Sequence, residues 1–152
     1  MKEEKYKELI RDIKSLTTGE DDVITIMSTI ACEIFHSADF INWAGFYRVV
    51  GDRTLKVGPY QGGHGCLVIS YDRGVCGRCA ADRTPQIVED VTKLKYHIAC
   101  SSETRSEIVL PVFNSVGELI AVLDIDSLEV GSFDDVDLKY LSEIVNVFKS
   151  VI

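Results

Sequence analysis

The chain has 152 residues, 46% hydrophobic and 26% charged, proportions that suit a folded globular domain and argue against a disordered or membrane-embedded chain. At this length one core buries most of the apolar surface without staples. Twenty-four acidic against sixteen basic residues leave a net charge of −8, which disfavours nucleic acids and anionic membrane surfaces as partners.

Five cysteines raise the question of compartment. Met1 to Lys14 alternates charged and apolar residues without the apolar stretch of a secretory signal, and no segment has the length and hydrophobicity of a membrane span. A reducing, cytoplasmic setting is expected, in which cysteines act as metal ligands, reactive thiols or small core residues.

In chain order, Leu9, Ile10 and Ile13 recur at helical spacing. A break at Thr17 to Glu20 follows, and Asp21 or Asp22 can cap a second helix whose face is Ile26, Met27, Ile30 and Ile34. Cys32 sits near that face and is expected to be a buried structural thiol. Trp43 to Val50 and Thr54 to Tyr60 read as a hairpin about Gly51-Asp52-Arg53. A glycine-rich loop leads to Leu67-Val68-Ile69, expected to be a short buried strand. Gly74 to Ala81 reads as a short helix, Gln86 to Val88 as a strand, and Glu89 to Thr104 as a long structured loop. Ser106 to Phe113 and Glu118 to Asp126 are strands about a turn at Asn114 to Gly117. Ser132 with Asp135 approximates a capping box for a last helix carrying Leu141, Ile144, Val145 and Phe148 inward. Helices flanking a meandering antiparallel sheet predict an α+β domain over residues 1–152.

Cys76-Gly77-Arg78-Cys79 is a C-x-x-C motif, able to close a disulfide or hold half of a zinc site. With His97 and Cys100 it makes C-x₂-C and H-x₂-C pairs, so a zinc module of Cys76, Cys79, His97 and Cys100 stands as an alternative, with His64 and Cys66 as substitute ligands. Asp124 and Asp126 are two apart on one strand and point to one face. They make either a solvated strand end or a proton-holding pair, and Glu107 joins them if its strand pairs alongside. Trp43 and Tyr47 share a face, as core packing or as the wall of an apolar or sulfur-containing ligand site.

The ordered segments Asn42 to Tyr47, Gly58 to Gly62, Gly74-Val75-Cys76-Gly77, His97 to Cys100, Ser106 to Pro111 and Val122 to Ser127 resemble the free methionine-(R)-sulfoxide reductases, a family of single-domain GAF proteins. They cover about Asn42 to Phe133. The resemblance implies a GAF-like fold, a central antiparallel sheet backed by N- and C-terminal helices, and a pocket closed by loops. It implies that Cys100 is the catalytic thiol, with Cys66 ahead of Cys76 as the resolving thiol. Glu107, Asp124 and Asp126 would engage the substrate, with Trp43 and Tyr47 beside its methyl group. It implies reduction of free methionine (R)-sulfoxide without metal or organic cofactor, regeneration by thioredoxin, and a homodimer. A GAF-type small-ligand sensor is the rival within the same fold.

Two positions depart from the family pattern. Gly62-Gly63-His64-Gly65 stands where Lys-Pro-Ala is usual, and its extra glycine is expected to make the loop before Cys66 mobile. Cys79 stands where a small apolar residue is usual and is expected to pack as one.

Overall fold

Helix α1 (Lys2–Thr17) opens the described part of the chain, residues 2–96 and 100–152 of a computed structural model. Its Leu9, Ile10 and Ile13 stripe turns inward, with Glu3 and Glu4 in the first turn and Lys14 in the last complementing the helix dipole. Helix α2 (Val23–Phe35) starts at Asp22, whose carboxylate accepts from the Thr25 amide at 2.9 Å.

Six strands follow: β1 (Ile41–Gly51), β2 (Thr54–Gly62), β3 (Val68–Ser70), β4 (Gln86–Val88), β5 (Ser106–Phe113) and β6 (Leu119–Ser127). They form one antiparallel sheet in the order β3-β2-β1-β6-β5-β4. Helix α3 (Gly74–Asp82) lies between β3 and β4, which are opposite edges of the sheet, so the chain crosses one whole face there. Helix α4 (Asp135–Val145) and a 3-10 turn (Asn146–Ser150) end the chain. No helix of the described residues is long and apolar enough to cross a membrane.

The crossing gives the sheet two buried faces. On one, Ala44, Phe46, Ile108, Leu110, Leu123 and Ile125 pack against α1, α2 and α4. On the other, Trp43, Tyr47, Val109 and Val122 meet Val75, Cys76, Cys79 and Ala80 of α3. Alternating residues of β5 and β6 therefore enter different cores, and the strands read as continuous apolar runs. The second face holds the candidate site.

Three local expectations are corrected. The cap of α4 is Asp134, with Asp137 completing the capping box, two residues beyond the expected Ser132 and Asp135. Ser132 is already engaged with the Ser127 hydroxyl and the Glu129 carbonyl. In the segment 67–69 only Ile69 is buried; Leu67 is 73% exposed, because β3 is a three-residue edge strand with one covered face. Cys32 is half-buried rather than enclosed, at the end of α2 with its sulfur 3.7 Å from His36 Nδ1.

Candidate active site

Strand register builds the floor. Glu107 pairs with Asp126, and Asp126 pairs with Trp43 of β1, so these side chains form one row across β5, β6 and β1. The next row holds Val109, Asp124 and Gly45. Residues two apart share a face, so all three carboxyl groups line one narrow cleft of about 480 Å³, open mouth included.

The aromatic wall is a stack. Trp43 lies 5.5 Å from Tyr47 and 5.1 Å from Tyr60, centroid to centroid and nearly parallel. Gly45 makes this possible, since a Cβ there would collide with Tyr60 Cβ and sit 2.8 Å from the Trp43 ring. Trp43 Nε1 donates to the Gly63 carbonyl at 2.9 Å, which ties the glycine-rich loop to the wall. Within that loop Gly62 has φ +116°, and a Cβ on Gly65 would stand 2.8 Å from Tyr47 Oη. These two glycines serve close approach, Gly62 to Asn42 and Trp43 and Gly65 to Tyr47 and Trp43.

Close approach delivers the thiols. Cys66, next to Gly65, forms a disulfide with Cys100, 34 residues later, with the two Cα atoms 5.4 Å apart. Cys76 is not in it. Its sulfur lies under the cleft near Glu107 and Asp124, all three ligand atoms falling within 4.8 Å of one another. Gly77 lets α3 settle there, because a Cβ would stand 2.5 Å from the Ser70 carbonyl. Cys79 is fully buried on the same helix, as expected of an alanine-sized core residue.

Burial sets the electrostatics. Glu107, Asp124 and Asp126 are all held well above the ordinary carboxyl range, first by desolvation and then by one another's charge. The cluster thus keeps protons at a pH where exposed carboxyls have lost them, and the group titrates as a unit. Burial and the same charges push the Cys76 thiol upward and keep the Tyr47 hydroxyl protonated. Such a site can donate a proton to an oxygen, or hold a cationic amine, beside a redox-active sulfur pair.

Sequence reasoning did not single out Thr104, Arg73 or Ser101, which also line the cleft. Thr104 is buried, receives a hydrogen bond from Asn42 Nδ2 at 3.2 Å and bonds Asp126. Arg73 brings a guanidinium to a cleft that also holds three carboxyl groups, and the one available signal was its place directly before Gly74-Val75-Cys76-Gly77. The proposed zinc set is not assembled: Cys100 is bonded to Cys66, and His97 lies outside the described residues.

The profile of the GAF domain family matches residues 17–152. A free methionine-R-sulfoxide reductase of Saccharomyces cerevisiae is 38% identical over 152 residues, covering 96% of this chain and 84% of that protein. The chain belongs to the GAF family, among its free methionine-R-sulfoxide reductases. The Escherichia coli free methionine-R-sulfoxide reductase is 39% identical, over 99% of this chain and 90% of its own length. The Neisseria meningitidis free methionine-R-sulfoxide reductase, solved in complex with its substrate, superposes with a TM-score of 0.90 at 37% identity, over 96% of this chain and 87% of that one. This GAF chain therefore has its disulfide and carboxyl cluster on a scaffold that relatives of closely similar length share.

Proposed function

We propose that this protein reduces free methionine (R)-sulfoxide to methionine, with Cys100 as the attacking thiol. The observation that carries the reading is the Cys66–Cys100 disulfide beside a cleft floored by Glu107, Asp124 and Asp126 and walled by Trp43 and Tyr47. The relatives at 38% and 39% identity that bear this activity in their names support it.

In the proposed cycle the Cys100 thiolate attacks the sulfoxide sulfur while the carboxyl cluster protonates the departing oxygen. The S–O bond breaks as an S–S bond forms between Cys100 and the substrate, and the oxygen leaves as water. Water then attacks the Cys100 sulfur and breaks that S–S bond, so the sulfoxide is reduced by two electrons to methionine and Cys100 is oxidised to the sulfenic acid. The Cys66 thiol then displaces water from that sulfenic acid, forming the disulfide. An external dithiol of the thioredoxin class reduces it by exchange and restores both thiols. A cytoplasmic setting would supply that reductant. The aromatic wall would hold the methyl-bearing sulfur, since thioethers and related sulfur groups favour ring contacts. The carboxyl cluster would also hold the ammonium group, which a peptide bond removes, so the free amino acid is preferred.

The sensor reading fits less well, because a phosphate-bearing ligand would face three acidic side chains in a narrow cleft. Turnover of separated epimers with a dithiol donor tests the proposal. Turnover of the free R epimer is expected, with the S epimer and peptide-bound sulfoxide left unchanged. Absence of R-selective turnover overturns the reading.

A further inference from the structure

Cys76 has no place in the disulfide, yet its sulfur is packed into the carboxyl floor. The sulfur and one carboxylate oxygen each from Glu107 and Asp124 lie within 4.8 Å of one another. All three residues are more than nine-tenths buried, at 5%, 6% and 5% exposure respectively. Asp124 Oδ1 is buried, lines this pocket and has no hydrogen-bond partner among the described residues, while the side chain otherwise bonds Cys76, Glu107 and Asp126.

From these observations we infer that Cys76, Glu107 and Asp124 form a binding site for one zinc-class divalent cation, which excludes the sulfoxide while bound. One sulfur and two oxygens suit a borderline-soft ion, whereas magnesium and calcium require six or more oxygens. Three protein ligands with a fourth position open to a cleft is the arrangement of solvent-accessible zinc sites. Bond lengths of about 2.0–2.3 Å put tetrahedral ligand atoms roughly 3.5 Å apart, so small side-chain rotations close the observed spacing. The ion takes the place of the thiol and carboxyl protons, which pass to solvent. The site survives disulfide formation because Cys76 stands outside it. Exclusion of the sulfoxide rests on the proposed function, since the ion would occupy the carboxyl groups that engage the substrate; the metal site itself does not.

The full chain in its disulfide form tests the site, because Cys32, Cys76 and Cys79 are then its only free thiols. Cadmium ion alone is the probe, read by thiolate-to-metal charge-transfer absorption. Zinc affinity follows from competition with a chromophoric chelator. One cadmium per chain is expected, with the signal lost in Cys76→Ala and kept in Cys32→Ala and Cys79→Ala. Asp124→Asn should weaken zinc by at least about 100-fold, beyond the effect of an outer-sphere change. Unaltered binding in folded Cys76→Ala, loss of the signal in Cys32→Ala or Cys79→Ala, or no saturable binding overturns the site. Should Cys76→Ala not fold, the Asp124→Asn affinity decides: a fall supports the site and an unchanged value overturns it. In turnover assays zinc should raise the apparent KM for the sulfoxide and leave kcat unchanged. Inhibition of kcat alone, or none, overturns the exclusion. The cadmium signal needs no turnover, so failure of the reductase reading stays distinguishable from failure of the metal site.

Discussion

Glu107 and Asp126 face each other directly across the β5–β6 ladder. Like charges at opposed positions destabilise a sheet, and burial enlarges the cost, so the pair is kept by retaining protons. The folded chain then binds more protons than the unfolded chain between the ordinary carboxyl pKa of about 4 and the raised folded values.

The sign follows directly: stability contributed by the cluster is full below that ordinary value and falls as pH rises. The slope is about 1.4 kcal/mol per pH unit for each retained proton. Glu107→Gln should flatten the dependence by up to one proton and raise stability at neutral pH. Urea unfolding from about pH 4 to pH 8 measures both; parallel slopes for variant and parent would contradict it.

For the thiols, Cys100→Ser is expected to abolish turnover. Cys66→Ser should still release one methionine per chain but regenerate slowly, because the sulfenic acid then lacks its resolving partner. Cys79→Ala should leave the rate near normal, since Cys79 is fully buried, free of the disulfide and not among the residues that line the cleft. Single-turnover methionine release separates these cases, and a burst from Cys100→Ser would disprove the assignment.

The glycine loop offers a paired comparison. Gly65→Ala places a Cβ 2.8 Å from Tyr47 Oη, whereas a Cβ on Gly63 has nothing within 4 Å. Displacing Cys66 should lower the steady-state rate about 10-fold or more in Gly65→Ala, since small misplacements of reacting groups are costly. Gly63→Ala should match the parent. Equal rates for the two variants would show that close packing at Gly65 does not position the thiol.

Far from the cleft, Asp137 joins the two ends of the chain. Its buried carboxylate accepts from Tyr6 Oη at 2.6 Å, Lys2 Nζ at 2.7 Å and the Asp134 amide at 2.8 Å. Asp137→Ala removes half of the α4 capping box and leaves the Tyr6 hydroxyl unpaired. A loss of about 2–4 kcal/mol is expected. Denaturant unfolding checks the magnitude, and early proteolysis within α1 should accompany it.

Much of the site was legible because strand geometry is periodic. Asp124 and Asp126 had to share a face, and the Asn114 to Gly117 turn made β5 and β6 neighbours, which brought in Glu107. The α4 cap was misplaced because Ser132 had partners at Ser127 and Glu129 that no local pattern announces. Leu67 looked like core because hydropathy cannot tell an edge strand with one covered face from a central one. Thr104 and Arg73 stayed hidden, since each reaches the cleft from a different loop.

Local pattern alone determined the elements of this protein, the acid pair on one strand face, the burial of Cys79 and the family it resembles. These depend on periodicity and residue chemistry over a few neighbouring positions. Tertiary structure decided the partner of Cys100, the raised proton affinity of the carboxyl cluster and the place of Cys76 beneath it. Each depends on the crossing of α3 over the sheet, which joins segments distant in sequence and removes their water, and desolvation is a property of the assembled space rather than of any one segment.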